Sequence, residues 1–242
     1  MKTAEARELG QSVAERVHDG EIEQSYALLA PVLAQRTPFR LLGIIGEAVG
    51  HGSMKEVNAF LERIAAEKTE GGWVVIGKAL GQQLERDLAG AFARCRDYIA
   101  ASDVWYGADI LGERVPGPAL VSHFEAALHQ LTPWRQDSNH WVRRAVGVSV
   151  HFWAKRSDGE PKLLPQARTL LDLLEPMFEE WKMPAAKGVG WGLKTLGKQY
   201  PDLLVKWLVE DIVPDERHHR AVILNKALTY LSEEQRVRVT GE

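Results

Sequence analysis

The chain has 242 residues, of which 45% are hydrophobic and 26% charged, with a formal net charge of −3. That is enough chain to bury a sizeable core in one domain spanning 1–242. No run approaches the roughly 18 to 20 apolar residues of a membrane span, and Met1–Gly10 lacks the basic start and apolar middle of a secretory leader, so a cytoplasmic monomer is expected. The single cysteine, Cys95, excludes an internal disulfide and a Cys-based zinc knuckle, and reads as a small packed residue.

Taken in chain order, almost every segment shows helical spacing broken by Gly, Pro or a capping residue, and no turn signal separates alternating runs. The spacing predicts helices over 3–18, 21–33, 38–50, 54–68, 72–86, 88–101, 103–112, 117–131, 138–155, 163–178, 184–199, 201–210, 215–230 and 232–239. Thr37-Pro38 reads as a cap ahead of a first-turn proline, and Ser53 with Glu56 and Ser232 with Gln235 read as capping boxes. The polar run 156–161 is too short to link independent domains and reads as a surface loop. The chain is therefore expected to be all-α, a solenoid of stacked antiparallel helix pairs with a concave face. The 34-residue and 33-residue signatures of tetratricopeptide and ankyrin arrays are not visible, whereas HEAT-type pairs are compatible.

Three segments carry chemistry. In the first, 102–112, Trp105 and Asp109 stand at i and i+4 and project from one face, an acid beside an indole. In the second, 139–153, Arg143 and Arg144 diverge by about 100°, so one can serve the surface, where a guanidinium fork binds phosphate bidentately. The third, 187–201, places Gly188, Gly190, Gly192 and Gly197 inside a helix around Trp191, at about 1 kcal/mol each relative to alanine. Close approach of another backbone, or an open indole face, would offset that penalty, and Lys187, Lys194 and Lys198 supply positive charge nearby. Each segment also has a plain alternative: a core Trp105 with a solvated Asp109, a surface ion pair, and tight helix packing around a core Trp191. Residues 1–120 hold 13 basic and 17 acidic side chains and 121–242 hold 17 and 16, so any contact with a polyanion must be local.

In order and spacing these segments resemble the HEAT-like AlkC/AlkD superfamily of bacterial DNA alkylation repair glycosylases, and AlkD-like members in particular. The likeness rests on Trp-x-x-x-Asp at Trp105–Asp109, Trp-x-Arg-Arg at Trp141–Arg144, Lys-x-Val-Gly-Trp-x-Leu-Lys at Lys187–Lys194, then Pro201 and Pro214. Upstream, 36–42 is similar to a family motif in which Thr-Pro opens a DNA-facing helix bearing an arginine, which implicates Thr37 and Arg40. The glycine-rich stretch 70–81 departs from the family pattern.

The resemblance implies a glycosylase excising positively charged N3- or N7-alkylpurines from double-stranded DNA. Asp109 would be the catalytic carboxylate and Trp105 and Trp191 the indoles lining the lesion cleft. Arg144 would contact phosphate, with Arg143, Lys187, Lys194, Thr37 and Arg40 also on the DNA side and Trp141 structural. Neither a metal nor a cofactor is expected. His218 and His219, with Asp215 and Glu216, are a poor chelating set because adjacent helical positions diverge by about 100°. Two other readings stay open: a non-catalytic HEAT-like module binding distorted or branched DNA, and a protein-binding scaffold.

Overall fold

The computed structural model describes residues 1–212 and 218–241. All regular structure among them is helical: α1 (Thr3–His18), α2 (Ile22–Leu33), α3 (Phe39–Gly50), α4 (Met54–Ala65), α5 (Glu70–Gly81), α6 (Leu88–Ser102), α7 (Trp105–Gly112), α8 (Pro116–Ser122), α9 (Phe124–Leu131), α10 (His140–Ser157), α11 (Leu164–Leu174), α12 (Met183–Gln199), α13 (Pro201–Trp207), α14 (Ala221–Ala227) and α15 (Glu233–Thr240). No helix among the described residues is long and apolar enough to cross a membrane.

The chain divides into two compact units, Met1–Val115 and Pro116–Glu242. Within the first, α1 packs on α3, α3 on α5 and α5 on α7, while α2 packs on α4 and α4 on α6. Successive helices thus alternate between two layers, the stacked helix pairs of an all-α solenoid. The second unit repeats the scheme, with α8, α10, α12 and α14 in one layer and α11, α13 and α15 in the other. Side chains between layers are sealed from solvent, among them Ile45, Phe60, Ile64 and Trp73 in the first unit and Val146, Leu170, Phe178 and Trp207 in the second.

The glycines of α12 are explained by its two neighbours. A Cβ on Gly188 would lie 2.5 Å from the Arg144 carbonyl oxygen, and one on Gly192 would lie 2.9 Å from the Gly147 carbonyl oxygen, both on α10. On the opposite flank a Cβ on Gly190 would meet the Lys226 side chain of α14 at 2.8 Å. Backbone contact with α10 therefore offsets the low helix propensity of these residues.

Several predicted boundaries move. The helix expected over 117–131 is two, because His123 leaves helical geometry (φ −136°, ψ 53°) and the Ser122 hydroxyl donates back to the Pro118 carbonyl at 3.1 Å. Thr69 caps α5 by accepting from the Gly72 amide at 3.1 Å, which starts that helix two residues before the predicted point. The segment expected over 163–178 finishes as a 3-10 turn at Glu175–Met177, where Pro176 removes an amide donor. Ser232 and Gln235 form the expected capping box. Ser53 instead donates to the Glu56 carboxylate, and Thr37 donates to the Val32 carbonyl at 2.9 Å, so neither side chain caps the helix that follows. Pro214, Asp215, Glu216 and the predicted start of the 215–230 helix lie outside the described residues; α14 begins at Ala221.

Candidate nucleic-acid interface

In the first unit the singled-out residues all belong to the layer of α1, α3, α5 and α7. Trp105 is the first residue of α7 and is 56% exposed, its ring edge-on to Tyr106 at 5.7 Å. It is not a core tryptophan. Val104 precedes it in extended geometry, so the indole stands at the helix start, while Gly107 and Ala108 turn inward. Asp109, one turn on, is half-buried between the buried Ala108 and Ile110. The i, i+4 spacing leaves its carboxylate on the same face as the indole. Arg40 on α3 is exposed and donates to the Thr3 hydroxyl at 3.1 Å; Thr37 sits in the turn before that helix.

In the second unit the candidates lie on α10 and α12. Arg143 and Arg144 separate as their angular offset requires. Arg143 forms a bidentate pair with Glu180 (2.6 and 3.2 Å) and donates to the carbonyls of Asp137 (2.7 Å) and Ser138 (3.2 Å). Four of its five N–H groups are thereby engaged in fastening the turn before α10 to the turn before α12. Arg144 is 9% exposed and donates to the Pro184 carbonyl at 3.1 Å in the first turn of α12.

Trp191 is half-buried and stacks on His151 of α10, with ring centroids 4.2 Å apart and planes 22° apart. The Thr195 hydroxyl lies 2.7 Å from His151 Nδ1 and 3.2 Å from the Trp191 carbonyl, so it ties the ring of α10 to the backbone of α12. Burial, followed by the charges of Lys155, Arg156 and Lys194, pulls the His151 pKa down to about 4. The indole therefore rests against a neutral ring at physiological pH.

Beside this stack lies a group of cations. Lys187 is exposed on α12, Lys194 lies 5.1 Å and Lys198 5.6 Å from the Tyr230 ring centroid, and Lys226 is half-buried on α14. Lys226 is held below the ordinary lysine range by burial first, and then by Lys194, Arg144 and Lys187. None of the four lysines forms an ion pair with a described carboxylate. Neutralising such a group is what an anionic backbone does.

Lys226 and His151 were not singled out from the sequence. Gly190 was the available signal for the first, since a glycine there makes room for a long side chain on the next helix of the layer. His151 gave none, because its partner is 40 positions away in α12. No group of three or more His, Cys, Asp or Glu among the described residues is placed to hold a metal. His219 packs against the Phe178 ring at 5.0 Å.

No curated protein matches the chain. A family model described as DNA alkylation repair enzyme matches residues 52–231, a range that contains the acid, both indoles, the arginine pair and the lysine group. The chain therefore belongs to the DNA alkylation repair enzyme family.

Proposed function

We propose that the protein is a DNA glycosylase that excises N3- and N7-alkylpurines carrying a positive charge. The observation that carries this reading is the pairing on α7 of an indole exposed over 56% of its surface with a half-buried carboxylate one turn away. A large apolar ring left in solvent beside an acid is a cradle for a flat cation.

The chemistry needs little else. An alkylated purine of this class leaves as a neutral base, and the positive charge passes to the deoxyribose as an oxocarbenium ion. No acid has to protonate the leaving group. Asp109 stabilises the developing sugar cation, water adds to it, and the exposed Trp105 face favours the same charge. A carboxylate about 4 Å from a unit charge at an effective dielectric near 20 contributes roughly 4 kcal/mol. Realised only in the transition state, that is a rate factor of about a thousand. The indole contributes about 0.5 to 2 kcal/mol, part of it already present in the bound ground state.

Duplex DNA is held by charge. Lys187, Lys194, Lys198 and Lys226 contact backbone phosphate, Arg144 contributes its exposed edge, and Arg143 positions the start of α10. Thr37 and Arg40 serve the first unit in the same way. The test is single-turnover excision from a duplex containing 7-methylguanine by the native chain and Asp109→Asn. The variant is expected to lose about two to three orders of magnitude in rate and to keep its duplex affinity. A fully active Asp109→Asn contradicts the assignment. A native chain that binds damaged duplex without releasing base places the protein with non-catalytic DNA-binding modules.

A further inference from the structure

A depression in the first unit, floored by α3 and α5 and closed by the residues just after α7, carries more positive charge than its surroundings explain. It is lined by Phe39, Arg40, Gly43, Glu47, Lys78 and Arg114, three cations against one carboxylate in a unit whose net charge is negative. The Lys78 ammonium is matched by Glu47 at 2.6 Å. Arg114 is matched by no carboxylate. It donates once, to the Ile110 carbonyl at 3.0 Å, its Nε is buried without a partner, and its charge centre lies 5.6 Å from the Phe39 ring. Burial pulls its pKa below the ordinary arginine range, a penalty that the charge of Glu113 only partly offsets.

Gly77 of α5 accounts for this position. A Cβ on Gly77 would lie 2.9 Å from Arg114 Cδ and 3.0 Å from its Cβ, so α5 carries no side chain where the arginine stem crosses it. On α3 a Cβ on Gly46 would lie 2.8 Å from Lys78 Cβ, so that helix too leaves room for the lysine stem. A guanidinium drawn out of water, left with unused donors and facing a depression with two further cations, is arranged for an oxyanion.

We propose that this depression binds a phosphodiester of the DNA strand, with Arg114 as its principal ligand and Lys78 and Arg40 at its rim. The inference rests on the DNA-repair reading above and adds a contact on the unit whose net charge opposes DNA. Free inorganic phosphate presents the same chemistry, so the experiment separates the two sources.

Duplex affinity of the full-length chain is measured against salt for the native protein, Arg114→Gln and Glu47→Gln. Inorganic phosphate alone is titrated in parallel, with the Arg114 Nε–H resonance as readout. Arg114→Gln is expected to weaken binding about tenfold near 100 mM salt and to reduce the log–log salt slope by about one. Glu47→Gln releases Lys78 and is expected to tighten binding about threefold at low salt. If Arg114→Gln does not fold, the gain from Glu47→Gln decides the matter. Unchanged affinity and slope in both variants overturn the proposal. So does a resonance that responds to inorganic phosphate and not to duplex. Should Asp109→Asn abolish excision while these variants bind like the native chain, the phosphate site falls and the glycosylase stands. Should the native chain release no base while Arg114→Gln loses affinity, the reverse holds.

Discussion

At the scale of single residues, burial separates roles that spacing alone cannot. Trp105 and Trp191 are both indoles next to helix-compatible neighbours, yet one stands 56% exposed while the other is half-buried against His151. Trp105→Ala removes little packing, so it is expected to leave thermal stability within about 0.5 kcal/mol of the native value and to slow base release about tenfold. Comparing melting temperature with single-turnover rate checks both halves. A large stability loss would make Trp105 a packing residue after all.

His151 yields a prediction with a sign. Its folded pKa of about 4 lies below the ordinary 6.5. Between those values the unfolded chain takes up the imidazole proton and the folded chain does not. Its contribution is therefore complete above pH 6.5 and lost as pH falls toward 4. The imidazole is partly exposed, so the size is discounted to about 2 kcal/mol. Denaturant unfolding of the native chain and His151→Phe at pH 7 and pH 5 measures it. The native chain should lose more stability on acidification than the variant, and equal losses would show that His151 is ordinarily titrating.

At the scale of helices, the layer α10–α12–α14 is held at backbone contact. Gly188→Ala sets a methyl 2.5 Å from the Arg144 carbonyl oxygen and must separate α10 from α12. A destabilisation of about 2 to 4 kcal/mol is expected, against a few tenths of a gain for an alanine placed where space exists. Equilibrium unfolding in urea reads the difference. Arg143→Ala should destabilise comparably, because it removes the cation from Glu180 and leaves that carboxylate only the Lys182 amide at 2.7 Å; the two guanidinium contacts are 2.6 and 3.2 Å and the side chains only 15% and 10% exposed.

What the sequence made legible at this scale is local information. The Ser232–Gln235 box and the start of α13 at Pro201 depend on residues within a few positions. The break inside 117–131 lies at His123, whose backbone leaves helical geometry, which spacing does not encode. The 100° between Arg143 and Arg144 predicts that they part but not which is buried. That depends on Glu180 and Pro184, both contributed from the region of α12. The glycines of α12 were recognisable as an anomaly, and only the neighbouring helices reveal that they serve contact on both flanks.

At the scale of the whole molecule, the net charge of −3 conceals an uneven distribution. Duplex affinity should fall steeply with salt, because each phosphate contact releases condensed counterion. Replacing Lys187, Lys194 and Lys226 together by glutamine should flatten the log–log slope by about 2 to 3 units without altering how the chain melts. A slope that stays steep would move the footprint elsewhere. The two compact units, Met1–Val115 and Pro116–Glu242, pose a further question of cooperativity. If 1–242 behaves as one domain, thermal unfolding is a single transition with matching calorimetric and van't Hoff enthalpies. Two resolved transitions would assign separate stabilities to the two units.

The central claim is that Asp109 and Trp105 act on positive charge already present in the damaged base. It is tested most directly by base release from matched duplexes containing 7-methylguanine, 3-methyladenine, uracil or hypoxanthine. Release of the two cationic purines, loss of that release in Asp109→Asn, and no release of the two neutral bases is the predicted result. Equal release of uracil and 7-methylguanine, or undiminished release by the variant, would contradict it.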